Sequence, residues 1–142
     1  MTYVLDASVY VPLITVVGAP LLEAALRLDL VILDLTIYEA CNAFWKACMK
    51  LRKMSKEEAI KACRVAKLLA DRLKTYRYED LDFDKMIAMA IEDDVTVYDA
   101  AYVVLASMLR APLASEDGDI KRIAPKYGVE VVGFDELLKM IE

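Results

Sequence analysis

Apolar residues follow two rhythms along this chain. Short unbroken runs alternate with longer stretches in which they recur every three or four positions. Tyr3–Leu5, Leu30–Leu33, Pro112–Ala114 and Val129–Val132 are runs of strand length bounded by polar or turn-forming residues, which predicts buried β-strands. Helical spacing predicts helices over Pro20–Leu28, Thr36 to about Lys53, Ser55 to about Lys74, Phe83–Glu92, Tyr98–Leu109, Asp119 to about Lys126, and Phe134–Ile141. Ser55-Lys-Glu-Glu58 carries a capping-box pattern, and Gly128 is placed to end the helix before it. Tyr76–Asp80 is polar and aromatic and reads as a connection. A turn at Asp93-Asp94 leads into the short apolar run Val95–Val97. Strands alternating with helices predict an α/β fold with a mostly parallel sheet, in one domain of 142 residues without internal repeats. Ligands of such folds bind outside the carboxyl ends of the strands.

Two helices stand out by their faces. Tyr98–Leu109 is apolar nearly all round except for Asp99, as a central buried helix would be. The helix after Ser55 has a core stripe of Ala59, Ala62, Cys63, Ala66, Leu69, Ala70 and Leu73. Ile60, Val65 and Leu68 lie off it among Lys61, Arg64 and Arg72, which suggests a protein contact surface.

Composition narrows the class. At 58% apolar residues the chain is not disordered. The longest apolar stretch, Val95–Leu109, is broken by Asp99 and too short to span a bilayer, so no membrane association is expected. The first basic residue is Arg27 and Asp6 interrupts the first apolar run, which does not read as a signal peptide; a soluble cytoplasmic protein is expected. Cys41, Cys48 and Cys63 form no C-x-x-C pair, and the chain has no histidine, which argues against zinc and against a catalytic thiol. They are expected to be buried apolar thiols. Asn42 is the lone side-chain amide. Its isolation amid plentiful Lys and Glu fits a thermophile source. The net charge of −5 is unevenly spread. Residues 46–77 hold eleven basic against three acidic residues, and the rest hold seven against twenty, so +8 faces −13. Such a basic limb is either a solvated helix face or a place to hold a polyanion.

Asp6, Glu39, Asp99 and Asp117 each follow a short apolar or extended stretch and stand at or near a helix start. Singly, each has an ordinary structural account. Asp6 can be an N-cap, and Asp117 precedes a turn glycine. Glu39 and Asp99 complete capping boxes with Thr36 and Thr96. Together they are harder to explain so. Asp99 is a charge in the most apolar helix, where it needs a partner. Asn42 lies one turn from Glu39, on the same face, where an amide can orient a carboxylate, a bound water or a phosphate. Clustered carboxylates repel and protonate unless a cation is present. An all-oxygen set suits Mg²⁺ or Mn²⁺, which would activate water without a histidine base.

The segments Val4-Leu-Asp-Ala-Ser8, Tyr38-Glu-Ala-Cys-Asn42, Val97-Tyr-Asp-Ala-Ala-Tyr102 and Leu113-Ala-Ser-Glu-Asp117 resemble, in order and spacing, those of PIN-domain nucleases, in particular VapC-type toxins of VapBC toxin–antitoxin pairs. The resemblance implies a three-layer α/β/α fold and a Mg²⁺- or Mn²⁺-dependent ribonuclease. It implies an acidic quartet of Asp6, Glu39, Asp99 and Asp117 with Asn42 beside it. Ser8 and Ser115 match the family's hydroxyl positions, Ser115 standing where threonine is more usual, and Asp119 is a further acid near the fourth motif that would bind metal directly or through water. It also implies an RNA substrate, a homodimer, and an antitoxin whose peptide lies near the active site, with Ile60, Val65 and Leu68 candidates for one of these contacts. Three rivals remain: a non-catalytic binding module on the same fold, a PIN nuclease of RNA processing, and a phosphohydrolase of small esters. The Asp6-Ala-Ser8 segment lacks the second aspartate of a D-x-D pair, which disfavours the last.

Overall fold

The computed structural model describes residues 1–17, 23–24 and 27–141. Five parallel strands, β1 Thr2–Leu5, β2 Asp29–Leu33, β3 Lys74–Tyr76, β4 Leu113–Ala114 and β5 Val131–Val132, form one sheet in the order β3-β2-β1-β4-β5. The expected mostly parallel sheet is parallel throughout. Helices α1 Ala7–Pro12, α2 Asp34–Met49, α3 Lys56–Ala70, α4 Phe83–Asp93, α5 Val97–Leu109, α6 Gly118–Ile123 and α7 Phe134–Ile141 flank it. Of the helix expected over Pro20–Leu28, Glu23, Ala24 and Arg27 are helical and Leu28 is in a turn, the remainder lying outside the described residues.

Alternation along the strands sorts the core into two halves. Tyr3, Leu5, Leu30 and Ile32 face one side, where they meet Val9, Tyr10, Phe44, Ala66, Leu69 and Leu137. Val4, Val31, Leu33 and Leu113 face the other, against Met89 and the buried run Ala100–Ala106 of α5. Period-two alternation therefore produces the three-layer α/β/α arrangement, with α1, α2, α3 and α7 on one face and α4, α5 and α6 on the other. α5 is apolar all round because sheet, α4 and α6 enclose it.

Four departures from the sequence reading have physical causes. β3 lies where a helix end and a connection are expected. Lys74-Thr75-Tyr76 is an edge strand, half-exposed and bonded to β2 alone, so it lacks the apolar run of a central strand. α2 begins at Asp34, which places Thr36 inside its first turn. The Thr36 hydroxyl accepts from Leu33 N–H at 3.1 Å, and the expected box with Glu39 does not form. The helix expected over Asp119–Lys126 stops at Ile123 and continues as a 3₁₀ turn to Tyr127, because Pro125 lacks an N–H; Gly128, at φ 73°, ends it in the left-handed region. The cysteines are half-buried rather than buried, and all are free thiols. By contrast the Ser55–Glu58 box forms with both bonds, and Thr96 caps α5. No described helix is long and apolar enough to cross a membrane.

Candidate metal centre

The chain leaves β1 for β2 and β3 on one side of the sheet, and β4 and β5 occupy the other. The switch point is therefore between β1 and β4, and crevices at such points are where α/β sheets bind ligands. Asp6 ends β1 and Ser115 ends β4, which pair in register through Leu5 and Ala114. Asp6 is 4% exposed. Its Oδ1 accepts from Ser8 Oγ at 2.5 Å and from Val9 N–H at 3.3 Å, so it caps α1; its Oδ2 accepts from Ser115 Oγ at 2.5 Å. The serines are themselves held: Ser8 Oγ accepts from Glu116 N–H at 2.9 Å and Ser115 Oγ from Asp117 N–H at 3.0 Å. One network thus ties the end of β1 to the loop after β4.

Asp117 caps α6 by accepting at Oδ1 from Asp119 N–H, 2.9 Å, and Ile120 N–H, 3.1 Å. This leaves its second oxygen free of the cap. Asp99 is in the first turn of α5, which packs beside α6 on the same face of the sheet. One carboxylate oxygen each from Asp99, Asp117 and Asp119 lies within 4.8 Å of the others. Glu39, in the second turn of α2, is held by Tyr102, whose hydroxyl donates to Oε1 at 2.6 Å and also meets Thr36 Oγ1 at 2.7 Å.

The electrostatics tie these groups together. Burial pushes Asp6 up to about 6, with Ser115, Ser8 and Val9 opposing and the Asp117 charge adding to it. Asp99 is also pushed up to about 6, first by burial and then by the charges of Asp117, Asp119 and Asp6. Glu39 is raised by burial and by Asp117, against the hydrogen bond from Tyr102. Asp117 therefore acts on the other three members of the quartet. Among the described residues no ion pair reaches Asp6, Glu39, Asp99 or Asp117, and Asp119 meets Arg122 at 3.5 Å with both side chains exposed. Converging carboxylates without a protein cation are the donor set that a hard divalent ion requires, and the residues present fit one.

Of the expected residues, Asp99, Asp117 and Asp119 converge, Asp6 and Glu39 stand near enough to feel the charge of Asp117, and Ser8 and Ser115 hold Asp6; Asn42 is not drawn in. Asn42 is exposed, one turn beyond Glu39, and its amide makes no hydrogen bond among the described residues. Tyr102 is the member of this arrangement that sequence reasoning missed. It was visible only as the last letter of the Tyr-Asp-Ala-Ala-Tyr segment, because its partners lie 63 and 66 positions away.

No family model matches the chain. Among curated relatives, it is 33% identical over 94 residues to Exonuclease VapC9 of Pyrobaculum aerophilum, covering 66% of each chain. It is 33% identical over 95 residues to Ribonuclease VapC3 of the same organism, covering 67% of this chain and 69% of the relative. The chain belongs to the VapC family of PIN-domain proteins. The match spans just under two thirds of the length of VapC9. Solved structures extend the likeness to the whole fold. The crystal structure of PAE2754 from Pyrobaculum aerophilum superimposes at a TM-score of 0.76 with 29% identity, covering 99% of this chain and 98% of the other. VapBC2 from Rickettsia felis, bound to a promoter DNA fragment, shares the fold at a TM-score of 0.67 and 15% identity, over 94% and 98% of the two chains. VapC membership accounts for the three-layer architecture.

Proposed function

We propose that this VapC-family chain is a Mg²⁺- or Mn²⁺-dependent endoribonuclease, acting as the toxin of a toxin–antitoxin pair in the cytoplasm. The observation that carries the reading is the convergence of Asp99, Asp117 and Asp119 beside Asp6 and Glu39 at the sheet's switch point, without a protein cation among the quartet. Asp99 and Asp117 would hold the ion, with Asp6, Glu39 and Asp119 ligating it directly or through water. When bound, such an ion lowers the pKa of water and steadies charge on a phosphoryl oxygen.

The chain's own residues do the remainder. Ser8 and Ser115 fix both oxygens of Asp6, and Tyr102 fixes Glu39, so the acids keep their positions without the ion. Burial of Asp6 removes water from one side of the site. Asn42, exposed one turn beyond Glu39, would meet a phosphate or a bound water approaching from solvent. The basic limb over residues 46–77 would hold the RNA strand.

An antitoxin is the expected protein partner. The groove between α2 and α3, about 680 Å³ and lined by Ile37, Trp45, Met49 and Ile60, is an apolar surface suited to a peptide. Val65 and Leu68 are exposed on α3, 38% and 65%, but do not line that groove. A homodimer is expected from the family resemblance. The test is cleavage of RNA by the purified protein with Mg²⁺ or Mn²⁺ and with chelator. Intact RNA under all conditions, together with tight partner binding, would instead favour the non-catalytic module.

A further inference from the structure

The segments that follow β4 and β5 run side by side, because Ala114 pairs with Val132 and Ser115 N–H continues the ladder to the Val132 carbonyl at 3.0 Å. The first of them carries Ser115, Glu116 and Asp117 in succession. Among the described residues, Glu116 does not join the cluster of Asp99, Asp117 and Asp119. Its backbone N–H donates to Ser8 Oγ at 2.9 Å, and its side chain reaches the start of α7. There Oε1 accepts from Phe134 N–H at 2.6 Å, while Oε2 accepts from Lys121 Nζ of α6 at 3.2 Å. Buried Leu137 and Ile141 fix α7 to the core. One residue thus joins the end of β1, the segment after β4, α6 and the first residue of α7. Gly133 makes room for the contact. A Cβ there would stand 2.8 Å from Glu116 Oε1, and the φ of Gly133 lies outside the left-handed region, so space alone is what this glycine supplies.

We propose that Glu116 is a positioning residue of the metal centre, a clamp that ties the segment carrying Ser115 and Asp117 to α7 through Phe134, with Gly133 as its seat. The segment needs such a hold. Asp99, Asp117 and Asp119 bring like charges together, and their repulsion pushes the segment away from α5 until an ion binds. The bonds of Asp117 itself, with Ser115 Oγ, Asp119 N–H and Ile120 N–H, all stay within residues 115–120 and cannot resist that push. The bonds of Glu116 leave the segment, to Ser8 and to Phe134, and so hold it against the body of the fold. Its carboxylate is occupied by a backbone N–H at a helix start and by an ammonium, so it steadies the acids without joining them. Groups that hold metal ligands in place commonly carry about tenfold or more in ion affinity. The role rests on the metal-centre reading, because its consequence is read in ion affinity.

The test is a calorimetric titration of Mn²⁺ into the full chain, freed of metal by chelator and shown to be folded by circular dichroism. Glu116→Ala removes the acceptor and Gly133→Ala displaces it, so each should weaken the Mn²⁺ Kd by on the order of tenfold. The double variant should bind as Glu116→Ala does, since the second substitution then has no carboxylate to displace. Glu116→Gln keeps an acceptor for Phe134 N–H and should recover most of the affinity. Glu136→Ala is the control. It removes the other side-chain bond at the start of α7, 3.4 Å to Gly133 N–H, without touching the segment after β4, and should leave the Kd at wild type. Where Glu116→Ala does not fold, loss in Gly133→Ala with retention in Glu116→Gln gives the same answer. Wild-type affinity in Gly133→Ala, additive losses in the double variant, or an equal loss in Glu136→Ala would overturn the proposal and leave the metal reading standing. No Mn²⁺ binding by wild type would overturn that reading, and the proposal with it.

Discussion

Asp6 allows the cost of burying a carboxylate in the acidic centre, to which the charge of Asp117 adds, to be weighed in the absence of metal. Its carboxyl lies at about 6 in the native state against an ordinary 3.8, so the folded protein binds that proton more tightly than the unfolded chain. The resulting stability is fully present below about pH 3.8 and is lost as pH rises through about 6. A gap of about 2 pH units corresponds to at most about 3 kcal/mol. By the same linkage, about 1.4 kcal/mol of this is lost between pH 5 and 7.5. Asp99 titrates in the same window and adds a smaller share, because it is only half-buried and solvent screens it. No histidine exists to titrate in this window. In urea with chelator, the unfolding midpoint should fall from pH 5 to 7.5 by roughly 0.7 M, taking a slope of about 2 kcal/mol/M. Millimolar Mg²⁺ or Mn²⁺ should remove the fall, because the ion binds the ionised, folded state. Asp6→Asn should hold its midpoint above wild type at pH 7.5 in chelator and gain little from metal. A wild-type midpoint that stays flat or rises across this range in chelator would refute the reasoning.

Further outcomes follow from single contacts. Tyr102→Phe deletes the hydroxyl that donates to Glu39 and meets Thr36; it should cost roughly 1–3 kcal/mol and weaken metal-induced stabilisation, read by thermal shift against Mn²⁺ concentration. Unchanged metal affinity would leave Tyr102 a purely structural residue. Ser55→Ala removes the acceptor for Glu58 N–H and should destabilise by about 1 kcal/mol in equilibrium unfolding, with metal binding intact. Replacing Lys46, Lys50 and Lys53 by glutamate should weaken RNA binding and flatten its salt dependence in a titration by anisotropy. A slope equal to wild type would mean that the basic limb is only solvated.

The central strands were legible because they are buried on both faces and so appear as unbroken apolar runs. β3 was not, since an edge strand bonded on one side tolerates Lys74 and Thr75. Helix ends were legible where a polar side chain caps them, as at Ser55 and Thr96. At α2 the signal misled: Thr36 does bond to a backbone N–H, but three residues before it rather than after, and it is already inside the helix. Asp6, Glu39, Asp99 and Asp117 could be singled out from their places near helix starts, and Asp119 only through the family resemblance; their ranking could not be read. Asp119 counted as an afterthought in the sequence, but it falls beside Asp99 and Asp117 because the Asp117 cap turns the chain there. Contacts spanning many positions, such as Tyr102 to Glu39 and to Thr36, leave no local pattern. They depend on how α2 packs, and packing is set by the whole core.

The central claim is that the converging acids form a metal centre that hydrolyses RNA. Its most direct measurement is the cleavage of a labelled RNA by wild type, Asp6→Asn and Asp99→Asn, each shown to be folded, with Mn²⁺ or Mg²⁺ and with chelator. The account predicts internal cleavage by wild type with metal only, and loss of cleavage in both variants. Undiminished, metal-dependent cleavage by either folded variant would contradict it.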